Sequence, residues 1–284
     1  MRVLESGGIE TRQIVARHTV SKWRDQWALV TGASAGIGRA IAVELAASGT
    51  HLVLVARRRN RLAELATLLA QKHNIRTKVL AIDLEKPEAP DEIFAFTQEK
   101  GIPIELLVNN AGFGAYGEFR KIEMRRQLAM VQVNASAVVH LTHLYLQPMI
   151  ERQSGDVLIL SSVAAFQAVP YFSVYAATKA FDLLFAEGLA EETASYGINV
   201  CALCPGSTES EFADVAKSPK RAFRREQTVE EVAHKGLRAL EQGRSSVISG
   251  LRNYFATQSE RLAPRRTVTR TVAKMYRPKP GEGA

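Results

Sequence analysis

The chain has 284 residues, 46% hydrophobic and 23% charged, which is enough apolar material for one sizeable core and argues against wholesale disorder. One large α/β domain is expected rather than two small ones. No apolar run approaches the roughly 18 residues of a membrane span, no secretory-type stretch stands at the N-terminus, and the formal charge of +8 is too localised to mark a nucleic-acid-binding body.

Residues 1–22 lack clean periodicity and read as an N-terminal extension, either mobile or a short surface helix. From there to residue 250 the pattern is regular. Apolar runs rich in Val, Leu and Ile fall at 27–31, 51–56, 78–82, 104–108, 157–161, 198–203 and 246–249. Amphipathic stretches separate most of them. Strands alternating with helices predict a parallel sheet with helices on both faces. Gly49 ends the first helix. A long helical stretch spans 123–151, disturbed near its end by Pro148, and another spans 171–196. Thr228 and Glu231 form a capping box for a helix to about Leu240. Cys201 and Cys204 fall in a strand and read as buried small side chains. A redox or zinc C-x-x-C is the weaker reading, since a second ligand pair is missing, and no metal is expected.

The first strand runs into Thr31-Gly32-Ala33-Ser34-Ala35-Gly36-Ile37-Gly38 and then a helix. Glycines allow the tight turn and let a phosphate approach the backbone, and the helix N-terminus offers free N–H groups. The first strand-to-helix turn is where dinucleotide folds hold pyrophosphate. The expected fold is therefore α/β: a single Rossmann-type, doubly wound parallel sheet of about seven strands, with residues 23–250 as the dinucleotide-binding catalytic domain. After the second strand the chain reads Arg57-Arg58-Arg59, with no acid to accept the ribose hydroxyls of NAD. Arg57 and Arg58 suit a 2′-phosphate and point to NADP(H), whereas Arg59 reads as solvated.

Tyr175 and Lys179 stand four residues apart, about one helical turn, so on a helix they share a face. An adjacent cation favours the phenolate and lowers the phenol's pKa. Ser162, thirteen residues before Tyr175, can orient a reacting oxygen. Alone, the Y-x-x-x-K spacing is common on helix surfaces.

Together these motifs resemble the short-chain dehydrogenase/reductase family, over roughly residues 27–250. The resemblance rests on the glycine loop, Asp83-Leu84 after the third strand, Asn109-Asn110-Ala111-Gly112 after the fourth, Asn134 in the long helix, Ser162, Tyr175 with Lys179, and Pro205-Gly206 after the sixth. It implies that Tyr175 is the general acid in carbonyl reduction or the base in alcohol oxidation. Lys179 would lower its pKa and hold the nicotinamide ribose, and Ser162 would bond the substrate oxygen. Asn134 would hold a water in a proton relay through a local helix irregularity. Around the cofactor it implies Gly32, Ser34, Ala35, Gly36, Ile37 and Gly38 at the pyrophosphate and adenosine. Asp83 and Leu84 would reach the adenine, and Asn110, Ala111 and Gly112 would line the adenosine side. Pro205, Gly206, Thr208 and Ser210 would border the nicotinamide. Ser210 stands where the family often has threonine.

Phe113, Tyr116, Phe166, Gln167, Val169, Phe172 and Phe212 are placed to line a substrate region, with about half expected to be core. They suggest an apolar ketone or aldehyde. Residues 207–227 read as a lid whose basic run, Lys217 to Arg225, is a solvated face or a site for an anionic acyl tail. That tail supports a 3-oxoacyl thioester reductase as an alternative. A non-catalytic NADPH-binding regulator is the rival from another class, disfavoured by the joint presence of serine, tyrosine and lysine. The basic tail 251–284 is expected to pack on the protein or on a partner subunit ahead of a membrane. A homodimer or homotetramer, a cytoplasmic location, a small-molecule substrate and no nucleic-acid partner complete the expectations.

Overall fold

The computed structural model describes residues 22–219 and 227–279. Seven parallel strands form one sheet in the order β3-β2-β1-β4-β5-β6-β7. They are β1 (Trp27–Thr31), β2 (His51–Ala56), β3 (Thr77–Ala81), β4 (Ile104–Asn109), β5 (Gly155–Leu160), β6 (Ile198–Cys204) and β7 (Ser246–Ile248). All seven expected strands are present, their ends within two residues of the sequence reading.

The sheet separates two cores because strand side chains alternate between its faces. Ala28, Val30, Leu52, Leu54, Leu106, Val108, Leu158, Cys201 and Leu203 point to one face. There they meet α1 (Gly36–Ala47), α2 (Arg59–His73) and α8 (Val229–Glu241). Leu29, Val53, Val55, Leu107, Val157, Ile159, Val200, Ala202 and Cys204 point to the other. They meet α3 (Ala89–Glu99), α5 (Ala137–Glu151) and α6 (Ser173–Thr193). With both faces covered, the strands read as continuous apolar runs rather than alternating ones. Each fully buried Leu, Val or Ile contributes about 1.5–3 kcal/mol of transfer free energy. Cys201 and Cys204 are free buried thiols, each pushed up to about 12 chiefly by burial.

The long helical stretch expected over 123–151 carries a local irregularity at Asn134, as the family resemblance implies. Between α4 (Met124–Val131) and α5 lies a π-helical turn, Gln132–Ser136, while Pro148 is accommodated within α5. Thr228 and Glu231 do form the capping box of α8.

A third, aromatic cluster sits beyond the carboxyl ends of the strands. Tyr116, Val169, Phe172 and Ala216 pack there with Tyr175, Phe212 and a residue of the tail, Val272. The tail folds into α9 (Leu251–Ser259) and α10 (Arg265–Tyr276), and α10 lays Val268, Val272 and Tyr276 on this cluster. Among the described residues, no helix is long and apolar enough to cross a membrane.

Candidate active site

The strand order reverses between β1 and β4, so the loops leaving those strands diverge and leave a crevice between them. Asn110 ties the two loops: its Nδ2 donates to the Thr31 carbonyl at 2.8 Å, and its backbone N–H donates to Thr31 Oγ1 at 2.9 Å. Two glycines make room for this tie. Gly32 has φ +67°, and a Cβ there would lie 2.6 Å from Asn110 Nδ2. A Cβ on Gly38 would lie 2.3 Å from the same nitrogen. Gly38 is therefore a packing residue at the start of α1 and does not line the cavity.

The crevice opens into one cavity of about 420 Å³. Its two ends differ in chemistry. At one end Gly32, Ser34, Ala35, Gly36 and Ile37 surround the N-terminus of α1, which has no side-chain cap and no acid in its first turn. Those free N–H groups and the helix dipole suit an anion. Arg57, Arg58, Asp83, Leu84, Asn110, Ala111 and Gly112 continue the wall. Arg58 donates to Ser34 Oγ from Nε at 3.2 Å and Nη2 at 3.1 Å. These donors fit the pyrophosphate and 2′-phosphate of an NADP-type dinucleotide.

Two acids absent from the sequence reading answer the arginines. Glu211 bonds Arg58 at 2.7 Å and Arg61 at 2.6 Å, and these arginines hold its carboxyl below the usual range. Glu85 bonds Arg57 at 3.1 Å, with Asp83 further off at 3.9 Å. Glu211 lies just before the short α7 (Phe212–Val215), so these bonds tie the lid region to α2. Asp83 also accepts the Glu85 backbone N–H at 3.1 Å. Of the basic run in the lid, Lys220, Arg221, Arg224 and Arg225 lie outside the described residues, as do residues 1–21 of the extension.

At the other end α6 presents Tyr175 and Lys179 on one face, and both line the cavity with Ser162. The Ser162 hydroxyl accepts the Ala164 backbone N–H at 3.1 Å and lies close enough to the phenol to favour its ionised form. Its neighbour Ser161 points away and donates to the Lys179 carbonyl at 2.8 Å, a structural role. Lys179 Nζ donates to the Leu160 carbonyl at 2.6 Å and to Asp182 Oδ2 at 2.9 Å. Burial disfavours this ammonium, but Asp182 and Tyr175 outweigh it and its pKa is raised.

The phenol departs from expectation. Burial raises its pKa, and the lowering by Lys179 and Ser162 does not overcome it. The ring is enclosed by Phe212, centroid 5.1 Å away, and Phe172 at 6.0 Å, which strip water from the hydroxyl.

Asn134 lies in the π-helical turn and is fully buried. Its Oδ1 accepts the Phe113 N–H at 3.0 Å, and its Nδ2 donates to the Phe113 carbonyl at 3.0 Å and Thr178 Oγ1 at 3.1 Å. It locks the loop after β4 and does not line the cavity. Gly112 keeps the space between Asn134 and Lys179 open: a Cβ there would lie 3.1 Å from Asn134 Oδ1 and 3.5 Å from Lys179 Nζ.

Pro205, Gly206, Thr208 and Ser210 line the floor between the two ends. Thr208 Oγ1 donates to the Gly206 carbonyl at 3.0 Å, and Ser210 Oγ accepts the Phe212 N–H at 3.3 Å. Of the aromatic set, Phe113, Gln167, Val169, Phe172 and Phe212 line the cavity; Tyr116 and Phe166 pack behind it. Tyr276 of α10 also lines it, a contribution the sequence pattern did not signal. Tyr116 Oη donates to the Tyr276 carbonyl at 2.7 Å and fastens that wall.

The family profile described as short chain dehydrogenase matches residues 26–221. The chain belongs to the short-chain dehydrogenase/reductase family. Within this oxidoreductase family it is 33% identical over 202 residues to the very-long-chain 3-oxoacyl-CoA reductase of Bos taurus, covering 70% of this chain and 64% of that one. The chain thus spans somewhat under two thirds of that relative. A 7beta-hydroxysteroid dehydrogenase of Clostridium sardiniense is 32% identical over 183 residues, 64% of this chain and 69% of its own. Among solved short-chain dehydrogenase/reductase structures, one from Sphingobium yanoikuyae in complex with NADPH matches with a TM-score of 0.77 at 27% identity. It covers 91% of this chain and 98% of that one. A 7beta-hydroxysteroid dehydrogenase structure matches with a TM-score of 0.81 at 25% identity, covering 90% and 99%.

Proposed function

We propose that the protein is an NADPH-dependent reductase of apolar ketones or aldehydes. One observation carries this reading: Ser162, Tyr175 and Lys179 converge at the apolar end of a cavity whose other end is built for a dinucleotide's phosphates. NADPH bound along that cavity supplies the hydride. Tyr175 gives its phenolic proton to the carbonyl oxygen as it becomes the alcohol oxygen. Ser162 donates a hydrogen bond to the same oxygen, stabilising the charge that develops there. A phenol raised by burial is protonated at neutral pH, the form an acid needs for reduction. Lys179, with two of its three donors fixed by Leu160 and Asp182, keeps its charge beside Tyr175. Asn134 supports the site by holding the loop that carries Gly112 and Phe113.

The preference for NADPH is supported by Arg58 beside Ser34 and by the NADPH-bound relative. The substrate end is lined by Phe113, Val169, Phe172, Phe212, Val215 and Tyr276, a surface for an apolar body with one polar handle. A 3-oxoacyl thioester is the second reading, favoured by the relationship to very-long-chain 3-oxoacyl-CoA reductases. The test is an NADPH-oxidation screen over bulky ketones, aldehydes and 3-oxoacyl thioesters, with NADH in parallel. Turnover of at least one class, faster with NADPH, is expected. Faster turnover with NADH would remove the role given to Arg57 and Arg58.

A further inference from the structure

Behind Lys179 lies a buried carboxylate whose charge the proposed reaction does not use. Asp182 is on α6, three residues past Lys179, and none of its side chain reaches solvent. Its Oδ2 accepts from Lys179 Nζ at 2.9 Å, while its Oδ1 is buried with no hydrogen-bond partner among the described residues. A carboxylate stripped of water with one oxygen unsatisfied is a costly choice. The next inward positions on the same helix are Leu183, Ala186 and Leu189, so packing alone would be served by an apolar residue.

We propose that Asp182 is a positioning residue that, with the Leu160 carbonyl, pins the Lys179 ammonium from behind and, by opposing its field at Tyr175, adds to the effect of burial in holding the phenol protonated for reduction. The proposal rests on the reading of Tyr175 as the general acid. Electrostatics at the phenol support it. Burial is the largest influence and raises its pKa; Lys179 and Ser162 pull it down, and Asp182 pushes it up. Burial also raises the Asp182 carboxyl, opposed by the bonded ammonium, which favours the ionised form. Other titratable groups face the pair from neighbouring elements. Cys204 of β6 faces Lys179 and is pushed up to about 12, chiefly by burial; Glu187, further along α6, adds to that rise. Tyr276 of α10 faces Tyr175 and is raised by burial. Cys204 and Tyr276 are therefore neutral where the enzyme would work, and the Asp182 charge is the one that offsets Lys179.

The test is the pH dependence of kcat/KM for ketone reduction by the full chain with saturating NADPH, wild type against Asp182→Asn. Asparagine keeps an oxygen for Lys179 and removes the charge. Reduction needs the protonated phenol, so activity falls as pH rises through the Tyr175 pKa. Without Asp182 that pKa drops, and the falling limb moves to lower pH. Asp182→Ser, smaller and also uncharged, gives the same displacement, and Asp182→Glu restores the limb toward wild type. A merely structural aspartate would lower Tm and leave the limb in place. An unmoved limb in either uncharged variant, with NADPH binding intact by fluorescence, overturns the proposal. Tyr175→Phe separates the two claims. If it turns over normally, the acid assignment itself fails. If it is inactive while Asp182→Asn leaves the limb unmoved, the role of Asp182 alone fails.

Discussion

At the scale of single residues, the site is governed by what each charge touches. Arg58 bonds both Ser34 in the glycine loop and Glu211 at the lid. A charge-assisted bond to phosphate contributes roughly 1.5–3 kcal/mol. Arg58→Ala is therefore expected to raise KM for NADPH by about tenfold or more and to leave KM for NADH nearly unchanged; equal effects on both would show that the arginine does not read the 2′-phosphate. The Tyr175–Lys179 pair is legible in the sequence because a helix converts a four-residue spacing into one face. Ser162 is legible because it follows a recognisable strand. Asp182 and Glu211 are not. An aspartate three residues from a lysine looks like any solvated helix pair, and its burial depends on how α6 packs against the sheet. Glu211 meets Arg58 across 153 residues of sequence, a relation no local pattern carries. The phenol's raised pKa is hidden for the same reason. The lysine beside it is visible, but the ring of Phe212 that helps dehydrate it arrives from a separate segment.

At the scale of elements, two features shape the cavity. The π-helical turn at Gln132–Ser136 lets Asn134 point inward and satisfy both backbone groups of Phe113. A continuous α-helix there would keep the same residues and lose that aim. Apolar periodicity cannot distinguish the two; the irregularity at Asn134 is implied only by the family resemblance. The second feature is α10, whose Val268, Val272 and Tyr276 complete the aromatic wall. The tail's basic residues draw attention to its outer face, whereas its apolar stripe packs on the aromatic cluster and brings Tyr276 to the cavity. Tyr276 packs its ring against Phe172 at 5.8 Å. Tyr276→Ala is expected to enlarge the substrate end. It should raise kcat/KM for bulky ketones relative to small ones several-fold, with NADPH affinity unchanged. An unaltered substrate profile would mean that α10 covers the cavity without selecting what enters it.

At the scale of the whole molecule, the fold is legible because helices cover both faces of the sheet. Each strand then stands out as a continuous apolar run between amphipathic stretches. Oligomeric state is a separate matter, written on the outside. Leu128 and Val131 of α4, Val139 of α5, and Phe181 and Leu184 of α6 are exposed apolar residues on the long helices. They offer a surface for the homodimer or homotetramer that the sequence leads one to expect. Phe181→Glu with Leu184→Glu is expected to lower the molar mass measured by light scattering from that of an oligomer to that of one chain of 31.2 kDa. A wild-type protein already at that mass would remove the expectation. On the proposed reading, the whole arrangement serves one step, the delivery of a proton from Tyr175 to a carbonyl oxygen. The most direct measurement is ketone-dependent NADPH oxidation by wild type and Tyr175→Phe at equal NADPH saturation. General acid catalysis is worth about 10²–10⁴-fold. The variant is predicted to lose turnover on that order while binding NADPH normally, and near-normal reduction by Tyr175→Phe would contradict the account.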